Sequence, residues 1–152
     1  MLKFYNYDIV FQEIPDEITL AINLTMCPIH CKGCHSKFLW EDVGEVLDEE
    51  SLKCLINLYD REITCVAFMG GDNDVESVNK MAKYGKEMGV KTAWYSGREE
   101  ISNKIDRENF DYIKVGSYVE ELGGLKSEKT NQRLYRVIGG NLEDITNRLR
   151  KR

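Results

Sequence analysis

The sequence predicts an α/β fold, a shortened parallel βα barrel that stays partial and open. Three observations predict it. Apolar or alternating runs suited to strands take turns along the chain with stripes at helical spacing. The cysteines, glycines and acids with chemical character sit at the C-terminal ends of the strand-like runs. The 152 residues are too few for eight βα units. Right-handed crossovers would bring those strand ends onto one rim, and in barrel-like α/β folds that rim carries the chemistry.

Residues 3–10 read as a strand, rich in Phe4, Tyr5, Tyr7, Ile9 and Val10. Pro15-Asp16 marks a turn, and residues 17–24 alternate polar and apolar as a half-buried strand would. From Asp48 the period changes. Leu52, Leu55, Ile56 and Tyr59 recur at helical spacing, with Asp48 and Ser51 as N-terminal capping residues. Residues 63–69 form a nearly continuous apolar run ending at Gly70-Gly71, as expected of a strand buried on both faces. A helix follows, with Val75, Val78, Met81, Tyr84 and Met88 on one stripe and Gly89 as its stop. Residues 90–95 are the next strand, 99–104 a short helix, and 111–115 another strand ending at Gly116. Residues 117–131 form a long polar loop. Residues 133–138 alternate again, Gly139-Gly140 punctuates, and Asn141 caps a final helix through Ile145 and Leu149. Both Cys54, on the first helix, and Cys65, in a buried strand, are expected in the core.

Residues 1–152 form one domain in this reading, large enough for a single core. Hydrophobic residues make up 42% and charged residues 31%, an ordinary balance for a folded protein, and no apolar run reaches membrane-spanning length. The net charge of −5 argues against nucleic acid as a partner. The basic run Arg148–Arg152 is explained by the dipole of the last predicted helix. Unpaired thiols and an N-terminus unlike a signal peptide predict a cytoplasmic protein.

Three of the five cysteines, Cys27, Cys31 and Cys34, fall in one short stretch spaced Cys-x3-Cys-x2-Cys. Such closely spaced thiolates favour a metal over disulfides. A closed zinc site or an ordinary iron–sulfur cluster takes four protein ligands, and only three cysteines are offered locally. A [4Fe–4S] cluster on three thiolates keeps one iron open for a small molecule. The competing reading is a structural zinc site completed by His30 or His35.

The spacing resembles the cluster-binding signature of the radical S-adenosylmethionine (SAM) superfamily. The run Leu24–His35, with Trp40 after it, looks like the small activating proteins of anaerobic ribonucleoside-triphosphate reductase. Phe68-Met69-Gly70-Gly71-Asp72 resembles their Gly-Gly-acid segment. Trp94-Tyr95-Ser96-Gly97 is similar to their next strand end, and Thr130-Asn131-Gln132-Arg133 to a segment near their C-terminus. The likeness covers nearly the whole chain.

The resemblance implies a partial barrel of the radical SAM type, with a [4Fe–4S] cluster on Cys27, Cys31 and Cys34 and SAM on its open iron. Gly33 and Cys34 would lie at the cofactor, with His35 beside the bound SAM. Gly70, Gly71 and Asp72 would recognise the amino group of its methionine portion, and Ser96 would contact its methionine or ribose. An N-cap is the plainer role for Asp72, and a turn the plainer role for Ser96. Val115 stands where the family usually has an aspartate before the glycine. Asn131, Gln132 and Arg133 would face a protein partner.

The activity so implied is reductive cleavage of SAM and transfer of the radical to a glycine of anaerobic ribonucleoside-triphosphate reductase. A flexible segment of the glycyl-radical subunit would enter the open side of the barrel, since so short a chain cannot enclose a large substrate. A low-potential electron donor such as flavodoxin is implied as well, and a homodimer is allowed. Three further readings compete. One is an activase of a formate-lyase-type glycyl-radical enzyme, and the second a non-catalytic zinc-binding adaptor. The third is a radical SAM enzyme acting on a small molecule, against which the sequence shows no extra substrate domain or auxiliary cysteine cluster.

Overall fold

The computed structural model describes residues 1–11, 13–25, 44–59 and 61–149. Their framework is an eight-stranded open sheet in the order β3-β1-β2-β4-β5-β6-β7-β8. The strands are β1 (Leu2–Val10), β2 (Thr19–Leu24), β3 (Glu45–Leu47), β4 (Cys65–Met69), β5 (Lys91–Tyr95), β6 (Tyr112–Val115), β7 (Arg133–Ile138) and β8 (Asn141–Asp144). The central four, β2-β4-β5-β6, run parallel. On one side β1 and β3 add antiparallel strands, and on the other β7 and β8 do the same.

Helix α1 (Glu49–Leu58) starts where expected. Asp48 accepts the Ser51 amide and Ser51 Oγ accepts the Asp48 amide, both at 2.9 Å, which satisfies two orphan donors reciprocally. Helix α2 (Val75–Glu87) is capped by Asp74, which accepts from Ser77 N and Ser77 Oγ. Gly89 follows it at φ +84, a left-handed value that favours glycine after a helix.

Both helices bury their stripes against one sheet face. Leu52, Leu55 and Ile56 of α1 and Val78, Met81 and Ala82 of α2 pack with Leu20, Ile22, Leu24, Val66, Phe68, Trp94, Ile113 and Val115. The period-two alternation of strands sends the intervening residues to the other face. There Cys65, Ala67, Ala93, Tyr112 and Leu134 pack with Ile14, Ile145 and Leu149. The small side chains Ala21, Ala67 and Ala93 stand in register across β2, β4 and β5 on this second face.

Three expectations need correction. Residues 99–104 form no helix. The Glu99 carboxylate instead accepts from Ser117 N and Oγ at 3.1 and 2.9 Å, and Ser102 Oγ takes the Lys104 amide. These side-chain bonds compete with helical ones. A 3₁₀ turn at Arg107–Asn109 is the helical element of this stretch. The final helix is likewise replaced, by strand β8 and a 3₁₀ turn at Thr146–Leu149. Gly139 and Gly140 adopt φ +56 and +82 between the paired residues Ile138 and Asn141. Positive φ at both central residues is the requirement of a tight hairpin turn, so the strand turns back and pairs. Cys54 is exposed, because the buried stripe at 52, 55 and 56 leaves position 54 on the outer side of α1.

Candidate functional site

The parallel strands end together on one rim. β4 runs into Gly70-Gly71-Asp72, β5 into Ser96-Gly97-Arg98, and β6 into Gly116-Ser117. β2 ends beside β4, with Asn23 paired to Met69, and from Thr25 the chain enters the cysteine stretch. Cys27, Cys31, Cys34, Gly33 and His35, along with His30 and Trp40, lie outside the described residues. Of the described cysteines, Cys65 is buried in β4 and Cys54 is exposed on α1. Among the described residues no three His, Cys, Asp or Glu side chains gather where they could hold a metal.

The Gly-Gly turn sits against the end of β2. Gly70 and Gly71 have φ +108 and +89, in the region that favours glycine. A Cβ on Gly71 would fall 2.5 Å from Val78 Cγ2 and 2.9 Å from Leu24 Cδ1. Close helix–strand packing therefore accounts for Gly71. Gly70 has room, since its nearest neighbour is Leu24 at 3.6 Å, and its backbone conformation alone calls for glycine. The Gly70 carbonyl accepts from the Trp94 indole at 2.7 Å, and its N–H donates to Tyr95 O at 2.9 Å.

Asp72 is the centre of the rim, and α2 is capped by Asp74 rather than by Asp72. The Asp72 side chain is 1% exposed. One oxygen accepts the Ser96 hydroxyl at 2.5 Å, and the other accepts the Gly97 amide at 2.9 Å. Arg98 Nε lies 4.0 Å from the carboxylate, and Arg98 Nη2 donates to Asp72 O at 3.4 Å. Ser96 Oγ also accepts the Arg98 amide at 3.1 Å. A buried carboxylate is tolerable when so surrounded by donors. The structure thus joins Gly70, Gly71, Asp72 and Ser96 in one assembly. Sequence reasoning missed Arg98, and the one signal was its place just after Ser96-Gly97 at a strand end.

β6 completes the rim. Lys114 is buried and donates to Ser96 O and Gly116 O at 3.2 and 2.8 Å. Val115 packs into the helix-side core, so an aspartate in its place would be set among apolar groups. Asn131 and Gln132 turn inward. Asn131 Nδ2 donates to Ser117 O at 3.1 Å, and Gln132 Nε2 reaches Gly116 O at 3.4 Å. Gly116, at φ +106, is tight against Gln132 Cα, which a Cβ would approach to 2.9 Å. Arg133 opens β7 opposite Val115, 3.7 Å from Asp144. Glu99 is held below the usual carboxylate range, chiefly by the amide and hydroxyl of Ser117.

A family model described as a 4Fe-4S single cluster domain matches residues 18–136. The chain belongs to that family. The matched span begins just before β2, takes in all three clustered cysteines and the whole rim, and ends inside β7. No curated protein and no solved structure matches. Membership in the 4Fe-4S single cluster domain family supports an iron–sulfur cofactor, and the donor set of Cys27, Cys31 and Cys34 fits one chemically, since thiolates are the usual ligands of such clusters. Of the charged groups at the described rim, Arg98 is exposed, whereas Asp72 and Lys114 are buried and hydrogen-bonded to the turns themselves; Gly70-Gly71 adds backbone free of side chains. No helix of the described residues is long and apolar enough to cross a membrane.

Proposed function

We propose that the chain is a radical SAM activase that installs the glycyl radical on anaerobic ribonucleoside-triphosphate reductase. The observation that carries this reading is the trio Cys27, Cys31 and Cys34 in a family of single [4Fe–4S] clusters: three thiolates leave one iron for SAM. Cys27, Cys31 and Cys34 would hold the cluster, which when bound would supply the electron for reductive cleavage of SAM and so the oxidising power to remove a hydrogen atom from a glycine Cα of the partner. The cofactors carry that chemistry, and the protein supplies binding and orientation.

In this reading the four parallel strands are the partial barrel and their C-terminal rim is the SAM site. Gly70-Gly71 presents backbone to the methionine portion. Asp72 and Ser96 fix the β4 and β5 turns to each other, and the resemblance assigns Gly33, Cys34 and His35 to the cofactor. Ala67 and Ala93, on the sheet face opposite the helices, are covered by Ile14, Ile145 and Leu149, so the entering segment of the partner would approach along the rim.

Anaerobic reconstitution with iron and sulfide, then reduction in the presence of SAM, tests the reading. 5′-Deoxyadenosine and methionine are expected in equal amounts, and their absence overturns it. A glycyl-radical EPR signal on adding the reductase identifies the partner, whereas a signal only with a formate-lyase-type enzyme reassigns it.

A further inference from the structure

Lys114 is a cation in apolar company. It shares β6 with Tyr112, Ile113 and Val115, all buried, and is itself only 9% exposed. A buried ammonium is costly unless its donors are met. Here Nζ donates to Ser96 O at 3.2 Å and to Gly116 O at 2.8 Å, and it lies 5.9 Å from the Tyr95 ring centroid, in reach of the π face. The two carbonyls belong to different turns, one after β5 and one after β6. The same turns are tied by Gly116 N donating to Arg98 O at 2.6 Å. Ser96 in turn holds Asp72. A single ammonium therefore sits beneath a chain of contacts that runs from Gly116 through Ser96 to the Gly-Gly turn. Its register neighbours Tyr95 and Leu134 place it on the sheet face opposite the helices.

We propose that Lys114 is the positioning residue of the rim, acting through the Ser96 and Gly116 carbonyls to hold the β5 and β6 turns in the spacing that binds SAM. The proposal rests on the SAM reading of this rim. Methionine at 114 keeps the length of the side chain and removes every donor. Arginine keeps the charge and the donors on a planar fork.

The test uses the full chain reconstituted with iron and sulfide, as wild type, Lys114→Met and Lys114→Arg. Amide exchange at Gly97 and Gly116, cluster content, unfolding midpoint and SAM affinity by equilibrium dialysis are measured together. In Lys114→Met, exchange at both amides is expected to accelerate and SAM affinity to fall, each by about tenfold, the equivalent of one lost hydrogen bond to a charged group. Cluster content stays at the wild-type level, the midpoint falls by no more than the same lost bonding explains, and Lys114→Arg recovers part of both losses. Unchanged exchange or unchanged affinity in Lys114→Met overturns the proposal. So does an affinity loss that only follows loss of cluster. Should Lys114→Met fail to fold, Lys114→Gln, which keeps a donor without the charge, carries the same measurements. A wild-type protein that binds no SAM sinks the proposed function instead, and exchange alone then decides whether Lys114 holds the turns.

Discussion

The Ser96 hydroxyl donates to the Asp72 carboxylate at 2.5 Å across 24 positions of sequence, and it locks the turn after β4 to the turn after β5. With the Gly97 amide on the second oxygen, the carboxylate is held by one side chain and one backbone donor from the same neighbouring turn. Ser96→Ala removes one of those donors to a buried charge. It is expected to cost about 1.5–3 kcal/mol in urea unfolding. Asp72→Ala should cost at least as much, and the double variant less than the sum of the two, because both remove the same contact. Additive losses would mean that the two side chains act independently.

Gly71 is a packing residue as well as a turn residue. Gly71→Ala brings a methyl to 2.5 Å from Val78 Cγ2 at a left-handed φ, and a loss of about 1–3 kcal/mol is expected. Val78→Ala made alongside should relieve part of that loss by clearing the methyl's path. A double variant no better than the sum of the singles would place the cost in the backbone and in Leu24 Cδ1, 2.9 Å from the new methyl.

Glu17 sets an acid dependence. It lies at the opposite end of the strands from the rim, accepting from Tyr112 Oη at 2.6 Å, Thr64 Oγ1 at 2.7 Å and Lys91 Nζ at 2.8 Å. Burial pushes its carboxyl up, but these three hydrogen bonds and the Lys91 charge outweigh that and hold it below the usual glutamate range. A carboxylate with a depressed folded pKa contributes stability above its ordinary value and loses it as pH falls toward the folded value. Urea midpoints should therefore drop through the acid range in wild type. In Glu17→Gln the drop should be shallower, from a lower starting midpoint at neutral pH.

The two described cysteines should differ in reactivity. Burial pushes the Cys65 thiol far up, with the Glu17 and Asp111 charges adding to it, and the side chain has no solvent contact. Cys54 is exposed on α1. Mass spectrometry after a short pulse of iodoacetamide is expected to find Cys54 modified and Cys65 protected until the protein unfolds. Equal labelling of the folded protein would contradict the placement of β4.

The β7–β8 turn offers a sharper check of backbone chemistry. Gly139→Asn should be tolerated, since Asn-Gly suits a turn with two positive φ values. Gly140→Ala, at φ +82, should lower stability by about 1 kcal/mol. The opposite order would rule out this turn type.

The sequence made the helices and the parallel strands legible because their signals are local. Asp48 and Ser51 cap α1 as their spacing suggests, and the apolar stripe of α2 is the buried one. The stretch after Gly140 was misread because Asn141 suits a helix cap as well as the end of a glycine turn, and what decides is pairing with β7, a contact between strands. Residues 99–104 have helix-forming composition, yet Glu99 spends its carboxylate on Ser117. Gly70, Gly71, Asp72 and Ser96 could be singled out one by one at strand ends. Their union could not, since Asp72 and Ser96 meet only once β4 and β5 lie side by side. Arg98 and Lys114 were harder still, because their roles rest on carbonyls and carboxylates of other turns.

The sheet's far border, β8, is four residues long and carries Glu143 and Asp144 facing Arg136 and Arg133. A short charged margin makes a poor template for a foreign strand, because any newcomer must bring its backbone against ionised side chains. This border of the sheet is thereby guarded against self-templated pairing without a covering helix. Neutralising Glu143 and Asp144 would remove that guard while leaving the rim untouched.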